Sequence, residues 1–240
     1  MYSGLFLIIL TLISSSFGTM TGFGTSTIMV PILSLVLPIP QTLLFVGIIH
    51  WFGDIWKMVF FKKGLNLKLI LLFGIPGIVT SFFAAKLPLN LPELLLKKGL
   101  GLFLVLYVTF LLLKPKWKIP ASGGNALLGG SLAGFFAGIF GVGGAVRSTF
   151  LTAYNLEKSV FLFTSGVIGI LIDSSRLTQY LIGGTRLTTP LITILFLCVP
   201  VSLMGAYIAK KLVNKIPQKS FRVFIAVALL LVGLRYLLIA

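Results

Sequence analysis

The chain has 240 residues, 58% of them hydrophobic and 10% charged, with 20 Lys and Arg against 4 Asp and Glu. A soluble chain of this length could hardly hide that much apolar surface. The formal charge of +16 would suggest nucleic acid in a soluble protein, but most of the basic residues sit between apolar runs ("FFKKGLNLK", "LLLKKG", "KPKWK", "AKKLVNK"), where they meet lipid headgroups.

The first charged residue is Asp54. The opening "MYSGLFLIILTLISSSFGTMTG" has no basic n-region, so it reads as a retained span and not as a cleaved signal peptide. A helix needs roughly 20 apolar residues to cross a bilayer, and the apolar runs predict spans at Gly4–Leu37, Thr42–Phe61, Leu67–Lys86, Leu94–Leu113, Asn125–Tyr154, Ser159–Leu181, Leu187–Lys210 and Lys219–Ile239. The first is too long for one straight crossing: at 1.5 Å per residue, 34 residues would make a helix of about 51 Å against a hydrocarbon core of about 30 Å. The fifth is also too long, and both carry glycines in mid-run. The expected fold is an all-α membrane protein of about eight transmembrane helices, with the first and fifth broken at their glycine-rich motifs.

The two halves resemble each other. Gly22 and Gly24 map onto Gly141 and Gly143, Gly47 onto Gly166, Asp54 onto Asp173 and Lys57 onto Arg176, all at an offset of 119. After a five-residue insertion, Pro76 maps onto Pro200, Lys86 onto Lys210 and Asn90 onto Asn214. Residues 1–118 and 119–240 thus read as two four-helix repeats. If each broken element counts as one crossing, both repeats have the same orientation, and a pseudo-twofold runs along the membrane normal. On that count the basic residues nearly balance between the two sides, and the positive-inside rule does not orient the chain.

Glycine clusters can end a helix inside the membrane, where irregular backbone must face protein or a water-filled cavity. A helix that restarts there presents free N–H groups and a positive dipole end, which suits an anion. In "GVGGAVRSTF" Arg147 adds a fork of donors, and Ser148 and Thr149 add hydroxyls. In "GFGTSTIMVP" Thr25, Ser26 and Thr27 follow Gly22 and Gly24. The candidate substrate-binding set is therefore Gly22, Gly24, Thr25, Ser26, Thr27, Gly141, Gly143, Gly144, Arg147, Ser148 and Thr149. Packing of helices through glycines and snorkelling of Arg147 are the structural alternatives. A second constellation pairs Asp54 with Lys57 and Asp173 with Arg176, three residues apart on predicted helices, with His50 one turn before Asp54. These five residues are candidates for gating or coupling, or for structural ion pairs.

One His, one Cys and four acids leave little for metal or nucleophilic chemistry, and no Walker, Rossmann or zinc spacing is present. Neither an enzyme nor a cofactor nor a metal site is expected. The glycine motifs, their repetition and the span layout resemble the TauE/SafE family of sulfite and organosulfonate exporters, over nearly the whole chain. The second motif copy matches the family pattern well but has Phe150 where the first has Pro31. The first copy has Thr25 and Ser26 where further glycines are usual. The resemblance implies a multi-pass protein of the cell membrane that carries small anions such as sulfite, organosulfonates or related carboxylates, with export the expected direction. An inside-negative potential itself favours anion exit by about 2.3 kcal/mol per charge per 100 mV. An anion channel, or a non-transport membrane protein handling lipid or cofactor, is the alternative. The expected partners are the small anion and membrane lipids, with no nucleic acid. Oligomeric state stays open, a homodimer included.

Overall fold

The computed structural model describes residues 3–62, 64–113, 119–212 and 218–239, with side chains from 226 onward in the last segment. The described residues form helices α1 (Gly4–Thr21), α2 (Thr25–Leu33), α3 (Ile39–Phe60), α4 (Leu67–Ala84), α5 (Leu87–Asn90), α6 (Glu93–Leu113), α7 (Gly123–Phe140), α8 (Gly143–Leu151), α9 (Lys158–Ile182), α10 (Thr189–Leu212) and α11 (Gln218–Leu238), and a 3-10 turn over Thr152–Tyr154. Seven of them are long and apolar enough to cross a membrane, and α11 contributes a shorter apolar stretch, Ala226–Leu238. Leucines 95, 102, 106 and 113 of α6 are each more than half exposed. Such an outward apolar surface is stable only against lipid. The chain is a multi-pass, all-helical integral membrane protein.

Both glycine-rich motifs break their helices. α1 ends at Gly22 with φ 77° and α7 ends at Gly141 with φ 70°. That left-handed cap is cheap for glycine and costly for a residue with a Cβ. Each break reverses the chain. A Cβ on Gly143 would strike the Ala133 carbonyl, one on Gly129 would strike Phe150, and the Tyr154 hydroxyl donates to the Ser122 carbonyl at 2.5 Å. α8 therefore runs back along α7 to the membrane face where α7 began. In the first half, Gly18 lies against Gly24 and the Thr11 hydroxyl reaches Met29 Sδ at 3.9 Å, so α2 likewise runs back along α1.

This reversal corrects the expected symmetry axis. With the hairpins making no net crossing, α3, α4 and α6 carry the chain across an odd number of times, and the second half starts on the opposite face. Helix contacts agree. α3 and α9 pack antiparallel: Gly47 lies by Leu177, Trp51 Nε1 donates to Ser174 Oγ at 2.9 Å, and Gly166 lies by Asp54 and Met58. Since α9 begins 119 residues after α3, any twofold exchanging the two lies in the membrane plane and not along its normal. α1 with α10, and α4 with α7, are parallel pairs, through Gly4 by Ile194 and Gly205 by Ser15, and through Gly130 by Phe73 and Gly138 by Ser81. Met20, Phe61, Leu162 and Ala209 cluster together. They bring the last turn of α1 toward the end of the bundle where α3 and α10 end and α9 starts.

Candidate functional site

The two hairpin tips meet inside the protein. A Cβ on Gly144, at the start of α8, would strike the Phe23 carbonyl just before α2. The N-termini of α2 and α8 thus abut. Their depth is fixed by α3: Gly24, the N-cap of α2 with φ 84°, faces Nε2 of His50, near the middle of that 22-residue helix. Neither α2 nor α8 has a side-chain cap on its first turn, whereas α1, α4 and α7 are capped by Ser3, Asn66 and Ser122. Uncapped first-turn N–H groups leave a partial positive charge at each helix start.

Around these tips sit six ionisable side chains, each no more than 3% exposed. Asp173 accepts from Arg176 Nε at 2.7 Å on its own helix and from His50 Nδ1 at 2.5 Å on α3. Asp54 accepts from Lys57 Nζ at 2.5 Å through Oδ1, while Oδ2 has Arg147 Nη2 at 3.6 Å and His50 Nδ1 at 3.7 Å. The result is one chain of charge: Arg176, Asp173, His50, Asp54, then Lys57 and Arg147. Three fixed cations oppose two carboxylates, so the cluster has net charge +1 with a neutral imidazole. Removing charges from water costs several kcal/mol per ion unless partners replace the hydration, and Asp173 has two cationic or donor neighbours and Asp54 three.

Arg147 does not snorkel. It is 2% exposed, and its Nε donates to Ser165 Oγ at 3.0 Å. The space that a side chain at Gly169 would fill is taken first by the Asp54 carboxylate, with Arg147 Nη1 2.8 Å from where that Cβ would stand. Gly169 is the residue that corresponds to His50 at the offset of 119. One half therefore offers an imidazole and the other a gap that the Asp54 carboxylate enters, with Arg147 beside it. The second break, Gly141, lies by Arg176, whose Nη1 is 3.5 Å from the site of a Cβ there. Among the described atoms, His50 Nε2, Asp54 Oδ2, Arg147 Nη2, Arg176 Nη1, Ser148 Oγ and Thr164 Oγ1 are buried without a hydrogen-bond partner in the protein. Buried polar groups are normally paired, so this concentration at the tips marks a place suited to a polar ligand.

The remaining sequence-predicted residues divide. Thr25, Ser26 and Thr27 are each 1% exposed in the first turn of α2, and Thr27 bonds back to the Phe23 carbonyl at 2.8 Å. Ser148 lies against Gly22. Thr149 is turned away from Arg147 toward α6: its hydroxyl donates to the Ala145 carbonyl at 3.0 Å and meets the Tyr107 hydroxyl at 3.2 Å. Sequence reasoning missed Ser165, which α9 brings to Arg147. It also missed the two cross-half contacts, His50 with Asp173 and Arg147 with Asp54. Ligand atoms of His50, Asp54 and Asp173 lie within 4.8 Å of one another, a metal-like spacing. The three cations already counter both carboxylates, so the donor set does not suit a further cation. A groove of 530 Å³ between α3 and α9 is lined by Ile55, Met58, Val59, Leu65, Phe163 and Ile170 with Lys62 and Gly64, and by none of the six charged residues.

The family described as "Sulfite exporter TauE/SafE" matches residues 7–236. The chain belongs to this family. It is also 28% identical over 257 residues to a protein named "Probable membrane transporter protein MJ0441" from Methanocaldococcus jannaschii, covering 97% of this chain and 94% of that one. Membrane transport is thus the function of this TauE/SafE member, and the buried cluster lies where the chain's own two glycine-rich breaks meet.

Proposed function

We propose that the chain is a secondary carrier for small oxyanions of the sulfite, sulfonate or small carboxylate type, exporting them across the cell membrane. The observation that carries this reading is the meeting of two uncapped helix N-termini with a cluster of net positive charge in mid-protein. An anion there gains N–H donors from both helix starts and charge-assisted bonds from guanidinium groups. Arg147 Nη2, Arg176 Nη1 and Ser148 Oγ are the side-chain donors free to turn to it, with Gly22, Gly24, Gly141, Gly143 and Gly144 letting backbone come close. Thr25 and Ser26 contribute from the other tip.

Residues 1–118 and 119–240 are in this reading inverted repeats. The bounds of the helices support it. Gly4–Thr21 and Gly123–Phe140 differ by 119 at both ends, and α11 repeats α6 at an offset of 125. Inverted repeats with discontinuous helices whose N-termini face an anion near the midplane are a recurrent carrier design.

The test is flux of a labelled panel of sulfite, alkylsulfonates and small carboxylates in liposomes holding the purified protein. Saturable flux of one class, accelerated by unlabelled anion on the far side, is the expected result. Flux without such acceleration would point to a channel. Flux no faster than in empty liposomes for every anion would overturn the reading.

A further inference from the structure

His50 Nδ1 lies 2.5 Å from Asp173 Oδ2. A carboxylate only accepts, so Nδ1 carries a proton and Nε2 is the nitrogen left to take up another. Nε2 is buried, has no partner in the protein, and faces the backbone at Gly24, the start of α2. A proton added there creates an N–H donor aimed at the hairpin tips. With no acceptor such a buried donor costs the full desolvation penalty. An oxyanion at the tips supplies the acceptor and the counter-charge for that donor.

We infer that His50 Nε2 is a proton-binding site linked to the anion site, so that one proton and one anion bind together. This rests on the anion site proposed above and names its coupling ion. The other charges bear on the same ring. Asp54 and Lys57 come from its own helix, Asp173 and Arg176 from α9, and Arg147 from α8. The helices α1, α2 and α5 bring no ionisable side chain to it, and Lys210 and Lys211 of α10 lie at the far end, Lys210 over Phe60. With the two carboxylates answered by three fixed cations, a second positive charge on His50 has no unshared counter-ion until the anion arrives. A monoanion and its proton then move as a neutral pair, and the membrane potential no longer drives the step.

The probe is methanesulfonate, which stays fully ionised at every pH used, so any proton taken up belongs to the protein. Calorimetric titration of the purified full chain, in buffers of different protonation enthalpy between about pH 6 and 8 where an imidazole changes charge, reads proton uptake directly. Uptake approaching one proton per anion is expected. Affinity should tighten by up to about tenfold per pH unit on lowering pH, the limit for one linked proton. His50→Gln keeps a donor for Asp173 but cannot titrate. It should bind the anion with no proton uptake and a flat pH profile. Wild-type binding without proton uptake would overturn the inference and leave the anion site standing, and undiminished uptake in His50→Gln would overturn it too. No methanesulfonate binding at any pH would overturn the anion site, and this inference with it. The wild-type titrations decide the matter even where the variant fails to fold.

Discussion

Asp54→Asn is expected to lower folding stability by about 3–5 kcal/mol, the usual cost of removing one partner from a buried ionic group. Asp54 is fully buried, and its carboxylate is bonded to Lys57 and flanked by Arg147 and His50. Asparagine keeps the shape and loses the charge, leaving two buried cations with no acid of their own. Asp173→Asn should act in the same way on Arg176 and His50. The contrast is Glu93, whose pair with Lys97 at 2.8 Å is 43% and 26% exposed. Glu93→Gln should cost no more than about 1 kcal/mol. Melting temperature and folded yield in detergent check all three. Wild-type values in Asp54→Asn would show that the chain of charge contributes nothing to folding.

Arg147→Lys is the second large effect, and it falls on binding. The guanidinium donates through Nε to Ser165, while Nη2 has Asp54 Oδ2 at 3.6 Å but makes no hydrogen bond within the protein. A lysine has one ammonium and cannot hold Ser165 and a ligand with the same planar fork. A charge-assisted bond is worth about 1.5–3 kcal/mol, so anion affinity should fall by about tenfold to a hundredfold. Arg147→Ala should lose more. The fold should tolerate both better than Asp54→Asn, because Lys57 still answers Asp54. Anion titration alongside melting curves separates binding from stability, and equal affinity in Arg147→Lys would remove Arg147 from the site.

The span pattern, the helix breaks and the residues flanking them were legible from apolar run lengths and glycine positions. The reversal at Gly22 and Gly141 was not. A run of 34 residues fits a kinked crossing or a hairpin equally well by composition, and only contacts such as Tyr154 with Ser122 distinguish them. Local spacing found the pairs Asp54–Lys57 and Asp173–Arg176, both present in the structure, but not the contacts that join them. Each of these acids has an obvious cation on its own helix, so nothing in the spacing pointed from Arg147 to Asp54 in the other half. The ring of His50, one turn before Asp54, in fact bonds across to Asp173. One clue was present: the residue matching His50 in the second half is Gly169. An imidazole in one repeat opposite a missing side chain in the other is the pattern of two halves filling a shared space unequally.

The hairpins also decide which way the protein sits in its membrane. Because each turns back to its own face, the described ends of α3, α6, α8 and α10 lie on one side with Lys62, Lys68, Lys158, Lys210 and Lys211. The sequence that follows these helix ends also contains Lys63, Lys114, Lys116, Lys118, Lys215, Lys219 and Arg222, which lie outside the described side chains. The opposite side has Lys86, Lys97, Lys98, Arg186 and Arg235. The balance found by counting each broken element as a crossing becomes a strong bias in the sequence, and the positive-inside rule predicts that the richly basic side faces the cytoplasm. The start of α1 and the end of α11 then lie on the outer side. A cysteine at Leu65, which is 58% exposed, should react with an impermeant thiol reagent only after the cells are opened, and one at the exposed Thr188 should react in intact cells. The native Cys198 is fully buried and should stay silent in both.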